Sequence, residues 1–288
     1  MPYLYLVLSV IGSASSSVIG TYFNKKNALR KGTSPFYNLV QQITCLVCWL
    51  IIFLIDFEFN VAVLPYSILF AISFALANWG IIQSLKHGPT SLTSLMISLS
   101  LMIPTVWGFF FWDARLTIEV VIGLALVVGS ICFCLLTGQK EEKKISLKWV
   151  VYIVIACVSN GGCTIIQRTQ QTAFDGKYGG MLMFFALLAS VLFFVVSFLL
   201  SDRSDVKVML KDSWFFPVAQ GFCNVVLNLS VMLLATTSLS SSIVFPVIGV
   251  GGLIVVMIFS IFAFKEKLKT TQWFGVILGV VATVLLSI

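Results

Sequence analysis

Three amides stand at helical spacing in one apolar stretch: Gln220, Asn224 and Asn228. Residues four apart share a helix face, so these three form a single polar stripe. An amide in hydrocarbon without a partner costs several kcal/mol by transfer estimates. Such a face therefore turns toward a wet cavity or toward polar groups on neighbouring helices. A second stripe holds Asn160, Thr164, Gln167 and Gln171; Asn38, Gln41 and Gln42 lie early in another apolar run, Asn78 within a fourth, and Ser13 and Ser16 in the first. The chemistry on offer is hydrogen bonding without charge, with aromatic faces at Tyr22, Tyr37, Trp79 and Trp107. That set suits a small neutral or zwitterionic metabolite. The expected substrate contacts are Asn224, Asn78, Asn228, Gln220, Asn160, Gln167, Ser13, Ser16, Asn38 and Gln42, with Asn224 foremost. For any one of them the competing role is plain interhelical hydrogen bonding.

What the apolar runs lack is equally informative. Ionisable groups in a bilayer are costly and mark function. All eleven acids fall between the runs or near their ends: Asp56, Glu58, Asp113, Glu119, Glu141, Glu142, Asp175, Asp202, Asp205, Asp212 and Glu266. Proton exchange through a buried acid is therefore not expected. His87 is the only histidine, and the Cys45–Cys48 pair lies in an apolar run with no second pair at zinc spacing. The seven cysteines read as small buried hydrophobes. No metal site, cofactor or cluster of acid and base groups is implied, which argues against an enzyme.

The elements that carry these residues follow from composition. The chain has 288 residues, 59% hydrophobic and only 10% charged, with mean hydropathy +1.05. A soluble domain cannot hide that much apolar surface; lipid can. A spanning helix needs roughly 20 apolar residues to cross a core about 30 Å thick. Ten runs qualify, at about 3–23, 36–56, 61–84, 91–112, 118–137, 148–167, 179–200, 213–235, 241–264 and 270–288. The first is read as a retained helix, since it has no basic leader and equivalent runs follow. The expectation is an all-α multi-pass protein of the cell membrane, with the lipid bilayer as its partner and no nucleic acid.

Two joints reveal a repeat. WDARLTIEVVIGLALVVGS begins at Trp112 and FKEKLKTTQWFGVILGVVA at Phe264, 152 positions later. In the same way Asn78 corresponds to Asn224 and Ser13 to Ser159 at an offset of 146. The chain thus divides at 1–138 and 139–288 into two five-helix units. Five is odd, so the second unit enters from the opposite side, an inverted repeat of the kind secondary transporters use. Of the eighteen Lys and Arg residues, all but Arg115, Arg168 and Lys177 fall in the five odd-numbered loops. Short basic loops stay cytoplasmic, which places both termini outside.

The segments GPTSLTSLMISLSLMIPTVWGFFFWDARLT and SLSSSIVFPVIGVGGLIVVMIFSIFAFKEKLKTTQWFGVILG resemble the ends of the two EamA repeats of the drug/metabolite transporter superfamily. The second copy keeps Glu266, Lys267 and Leu268 of the family joint; the first has Ala114, Arg115 and Leu116. The resemblance implies substrates from amino acids to amphipathic drugs, and export as readily as import. Family members usually keep both termini in the cytoplasm, against the charge distribution here.

The expected function is secondary transport of a small neutral, zwitterionic or amphipathic metabolite by alternating access, in the direction of export; the alternative is a multi-pass membrane sensor or accessory protein without transport. Pro104 and Pro246 are expected to interrupt the fourth and ninth helices, freeing backbone groups to line a cavity. Small residues such as Gly161, Gly249, and the Gly275–Gly279 pair let helices approach closely. Plain packing is the favoured role for that pair, and a homodimer face on helices four, five, nine and ten is a further arrangement they permit.

Overall fold

The computed structural model describes residues 1–27, 29–88, 90–112, 116–136, 146–264 and 269–287. Both joint sequences, at 113–115 and 265–268, lie outside these residues, as do Lys140–Lys144. Among the described residues there is no strand. The helices are α1 (Pro2–Lys26), α2 (Thr33–Ile55), α3 (Leu64–His87, entered through a 3₁₀ turn at Val61–Val63), α4 (Thr90–Leu99), α5 (Met102–Phe111), α6 (Ile118–Leu136), α7 (Leu147–Ala173), α8 (Gly179–Leu199), α9 (Val206–Asp212), α10 (Phe215–Ala235), α11 (Ser241–Phe264) and α12 (Thr270–Ser287). All ten apolar runs are helical. Seven helices, α1, α2, α3, α7, α8, α10 and α11, are long and apolar enough to cross a membrane; the segments 96–111, 118–134 and 270–286 are apolar but shorter.

The break in the fourth run is as the sequence reading expects; the continuity of α11 through Pro246 is not. The fourth run is broken in two, because Pro104 would drive its ring against the carbonyl of Ser100, four residues back. That carbonyl instead accepts from the Ile103 N–H at 3.1 Å, and Pro104 falls in the first turn of α5, where a missing N–H costs little. Pro246, by contrast, does not interrupt its helix: α11 runs through it. It lies only six residues into α11, so the single donor it removes faces Ser242. The connection at 201–212 folds its second half into α9.

The described residues form two compact units. The first holds Tyr3–Ile72 and Gln167–Thr236, the second Ser73–Ile166 and Thr237–Ile288. Each therefore takes residues from both halves of the sequence, and α3 and α7 run from one unit into the other. In the first unit, Gly12 of α1 lies against the α10 backbone: a Cβ there would stand 3.0 Å from the Cys223 carbonyl and 3.1 Å from the Leu227 nitrogen. Gly221 of α10 is pressed against α2, where a Cβ would meet Thr44 at 2.8 Å and the Gln41 carbonyl at 3.1 Å. Glycine on both sides thus clamps α10 between α1 and α2. In the second unit α6 and α12 meet through Gly275 and Gly279. Ser130 Oγ donates to the Gly275 carbonyl at 2.7 Å, and a Cβ on Gly279 would press on Ser130 and Val250 at 2.7 Å. The glycine pair therefore packs within the chain. Around it Val127, Ile131, Val250, Ala282 and Leu286 form a buried apolar cluster.

Candidate functional site: a polar seam on α10

The clamp on α10 decides where its amide stripe goes. Asn228 Nδ2 donates to Asn224 Oδ1 at 2.9 Å and to the Asn224 carbonyl at 2.9 Å. Gln167 Nε2, reaching from the last third of α7, donates to Asn228 Oδ1 at 2.8 Å and to Met183 Sδ at 3.3 Å. On the other side the Cys45 thiol of α2 donates weakly to the Gly221 carbonyl at 3.4 Å and to Asn224 Oδ1 at 3.9 Å. A chain of polar contacts thus runs from α7 through α10 to α2. Gln42, one turn before Cys45 on α2, turns to α8 instead and donates to Ser190 Oγ at 2.8 Å.

The seam continues past Asn224 to Gln220. There the bonding stops: Gln220 Oε1 and Tyr37 Oη are both buried and without a partner among the described residues. Both border the face of Gly20 on α1, at 3.4 and 3.5 Å from where a Cβ would stand. Gly12, Ser16 and Gly20 are four residues apart, so Ser16, itself buried, lies on this same α1 face. From Gln220 to Met232 the seam covers about 18 Å of helix rise.

At its other end the seam meets a cavity of about 300 Å³. Leu229, Met232 and Leu233 of α10, Trp49 and Ile52 of α2, Gln171 of α7 and Gly179 of α8 line it, and Asp56, Glu58 and Lys177 complete the lining from the loops. Gln170 and Gln171 shape the wall: Gln171 Nε2 donates to Gln170 Oε1 at 2.6 Å, and Gln170 Nε2 to the Lys177 carbonyl at 2.9 Å. Trp49 is fully buried, and its indole N–H has no acceptor in the protein.

The expected site residues therefore separate. Asn224, Asn228, Gln220, Gln167, Gln42, Ser13, Ser16 and Asn38 lie in the first unit, Asn78 and Asn160 in the second. Only the first four form or border the seam through α10. Asn78 Nδ2 bonds the Phe74 carbonyl of its own helix at 2.8 Å. Asn160 Nδ2 bonds Ser100 Oγ at 2.7 Å, at the break between α4 and α5. Ser13 is half-buried, with its carbonyl taking the Ser17 hydroxyl at 3.0 Å, and Asn38 is half-buried near the start of α2. Sequence reasoning missed Trp49, Gln170 and the three loop charges at the cavity. The usable signal is Asp56, Glu58 and Lys177 flanking runs two and seven. Every acid among the described residues does lie in a loop or at a helix end.

All seven cysteines are free, four of them buried. The arrangement is thus an electrically neutral hydrogen-bonding path, with charge confined to its mouth. The sequence profile of the EamA-like transporter family matches residues 147–288. These residues belong to the EamA-like transporter family. The match takes in α7, with Gln167, and the whole of α10, so all four seam amides, the orphan Gln220 oxygen among them, sit on the EamA-like part. A crystal structure described only as that of a protein shares the fold, with a TM-score of 0.71 over 99% of this chain and 94% of that one at 12% identity. No curated protein matches the chain. The family match over residues 147–288 and the seven long apolar helices make this a multi-pass membrane protein, consistent with the drug/metabolite transporter superfamily.

Proposed function

We propose that the protein is a secondary transporter that moves a small neutral or zwitterionic metabolite across the cell membrane by alternating access, in the direction of export, and that the α10 seam carries its substrate contacts. The ten helices act as two inverted five-helix repeats, 1–138 and 139–288, with basic loops in the cytoplasm. One observation carries the reading: buried polar atoms left without partners, Gln220 Oε1 and Tyr37 Oη, continue a bonded amide chain along one helix face. Buried polar groups are satisfied in the great majority of native structures, so orphans in line with such a chain mark a place where something else bonds. Asn78 and Asn160, bound to their own helix or to Ser100, support the bundle in this scheme.

Tyr37→Phe separates the roles. Removing a hydroxyl that has no partner relieves an unmet desolvation cost, so thermal stability stays level or rises. Transport measured in proteoliposomes against a metabolite library falls, because the substrate loses a hydrogen bond. Equal transport by Tyr37→Phe and Gln220→Leu, at wild-type stability, removes the seam from the substrate path.

A further inference from the structure

The cavity beyond Asn228 carries opposite charges that no described residue neutralises. Asp56 and Glu58 stand on one part of its lining and Lys177 on another; all three are exposed, and none has an ion-pair partner among the described residues. The other pole for an anion is backbone. The cavity is lined by Tyr178, Gly179, Gly180 and Met181, the start of the 21-residue α8, whose N-cap Tyr178 offers no side-chain acceptor. A helix N-terminus presents free N–H groups and the positive end of the helix dipole. Gly179 lets this end pack closely against α10 and α7: a Cβ there would come within 2.9 Å of Met232 and 3.1 Å of Gln171 Nε2. Independently of the helix end, the fully buried Trp49 offers an indole N–H that no protein atom accepts. A volume of about 300 Å³ sits at the small end of ligand pockets, ~300–1,000 Å³, and aliphatic and thioether side chains, with the Gln171 amide, make up most of the remaining wall.

We infer that this cavity binds a small apolar-bodied zwitterion, its carboxylate at the α8 N-terminus, Trp49 and Lys177, and its ammonium at Asp56 and Glu58. An amine alone leaves the helix end and Trp49 unanswered; an acid alone meets the two carboxylates. The inference rests on the transport reading, for which the cavity is the outer end of the α10 seam, since Leu229 adjoins Asn228 and Met232 lies one turn beyond it.

Three probes of one shape test it on the full chain in lipid nanodiscs: L-leucine, isopentylamine, which lacks the carboxylate, and 4-methylpentanoate, which lacks the ammonium. Isothermal titration should show L-leucine binding at least tenfold more tightly than either fragment. Asp56→Asn with Glu58→Gln, and separately Lys177→Gln, should each weaken L-leucine at least tenfold with melting temperature unchanged, because these exposed side chains make no contact that folding needs. The inference is overturned if L-leucine fails to bind at millimolar concentration, if isopentylamine binds as well, or if the neutralised variants bind it undiminished. L-leucine binding without transport counts against the transport reading alone; transport of a metabolite by protein that does not bind L-leucine counts against this site alone.

Discussion

Asn228→Ala is the most informative single change in the seam. The side chain accepts from Gln167 at 2.8 Å and donates to Asn224 Oδ1 at 2.9 Å. Truncation leaves the Gln167 amide with only the thioether of Met183 at 3.3 Å, and Asn224 Oδ1 with only the long thiol contact of Cys45. Polar contacts between membrane helices average about 0.6 kcal/mol, with a maximum near 1.7. Leaving a buried partner unsatisfied in soluble proteins costs about 1–3 kcal/mol. Two side-chain bonds lost together, in a half-buried setting, should therefore destabilise by about 1–3 kcal/mol. The measurement is reversible unfolding of the reconstituted protein, run as a double-mutant cycle with Gln167→Leu. A coupling of about 0.6–1.5 kcal/mol between the two positions is expected. A coupling of zero would refute the bond between α7 and α10 from which the seam is built. Transport kinetics on the same variants then divide the roles: lower stability with unchanged KM makes Asn228 an adhesive between helices and removes it from the substrate path.

Two glycines test the α6–α12 contact. In Gly275→Ala the new methyl would lie 2.7 Å from Cys134 Sγ and 2.9 Å from the Cys134 backbone nitrogen, which cannot rotate away, so a loss of about 1–3 kcal/mol is expected. Gly129→Ala on α6 meets only Leu278 at 3.9 Å, so thermal melting should show it neutral or stabilised by up to about 1 kcal/mol from helix propensity. Near the start of α9, the Ser204 backbone N–H at 3.0 Å, its hydroxyl, and Lys31 at 3.3 Å hold the Asp202 carboxyl below the ordinary carboxylate range. A carboxyl depressed by folding contributes stability at neutral pH that is lost as pH falls through its lowered pKa. The wild type should therefore lose a small increment of melting temperature on acidification that Asp202→Asn lacks, and salt should shrink it. For topology, single cysteines at Lys207 and Lys269 should label from the cytoplasm and one at Lys177 from outside; the reverse pattern overturns the charge-based orientation.

Composition alone decided that this chain lives in lipid, because no fold of 288 residues can bury so large an apolar fraction in its own interior. Run lengths decided where the helices lie, since the bilayer sets that length and backbone bonds must close within each segment. Periodicity decided which residues of α10 share a face. It did not decide which of them is occupied. Asn224, central in its stripe, finds Asn228, whereas Gln220 at the end keeps an unpaired oxygen. That difference depends on how closely α1 and α2 approach α10, which Gly12 and Gly221 allow through contacts with residues more than a hundred positions away. The same holds for the prolines: each removes one donor, but Pro104 meets a carbonyl in mid-run and Pro246 meets one near a helix start, so position along the element sets the outcome. Asp56, Glu58 and Lys177 read in sequence only as scattered loop charge. The turn between α7 and α8, tied down by Gln170 and Gln171, places them around one cavity beside the buried indole of Trp49. Charges separated by some 120 residues have no local signature, because their proximity is set by helix packing that spacing along the chain does not encode.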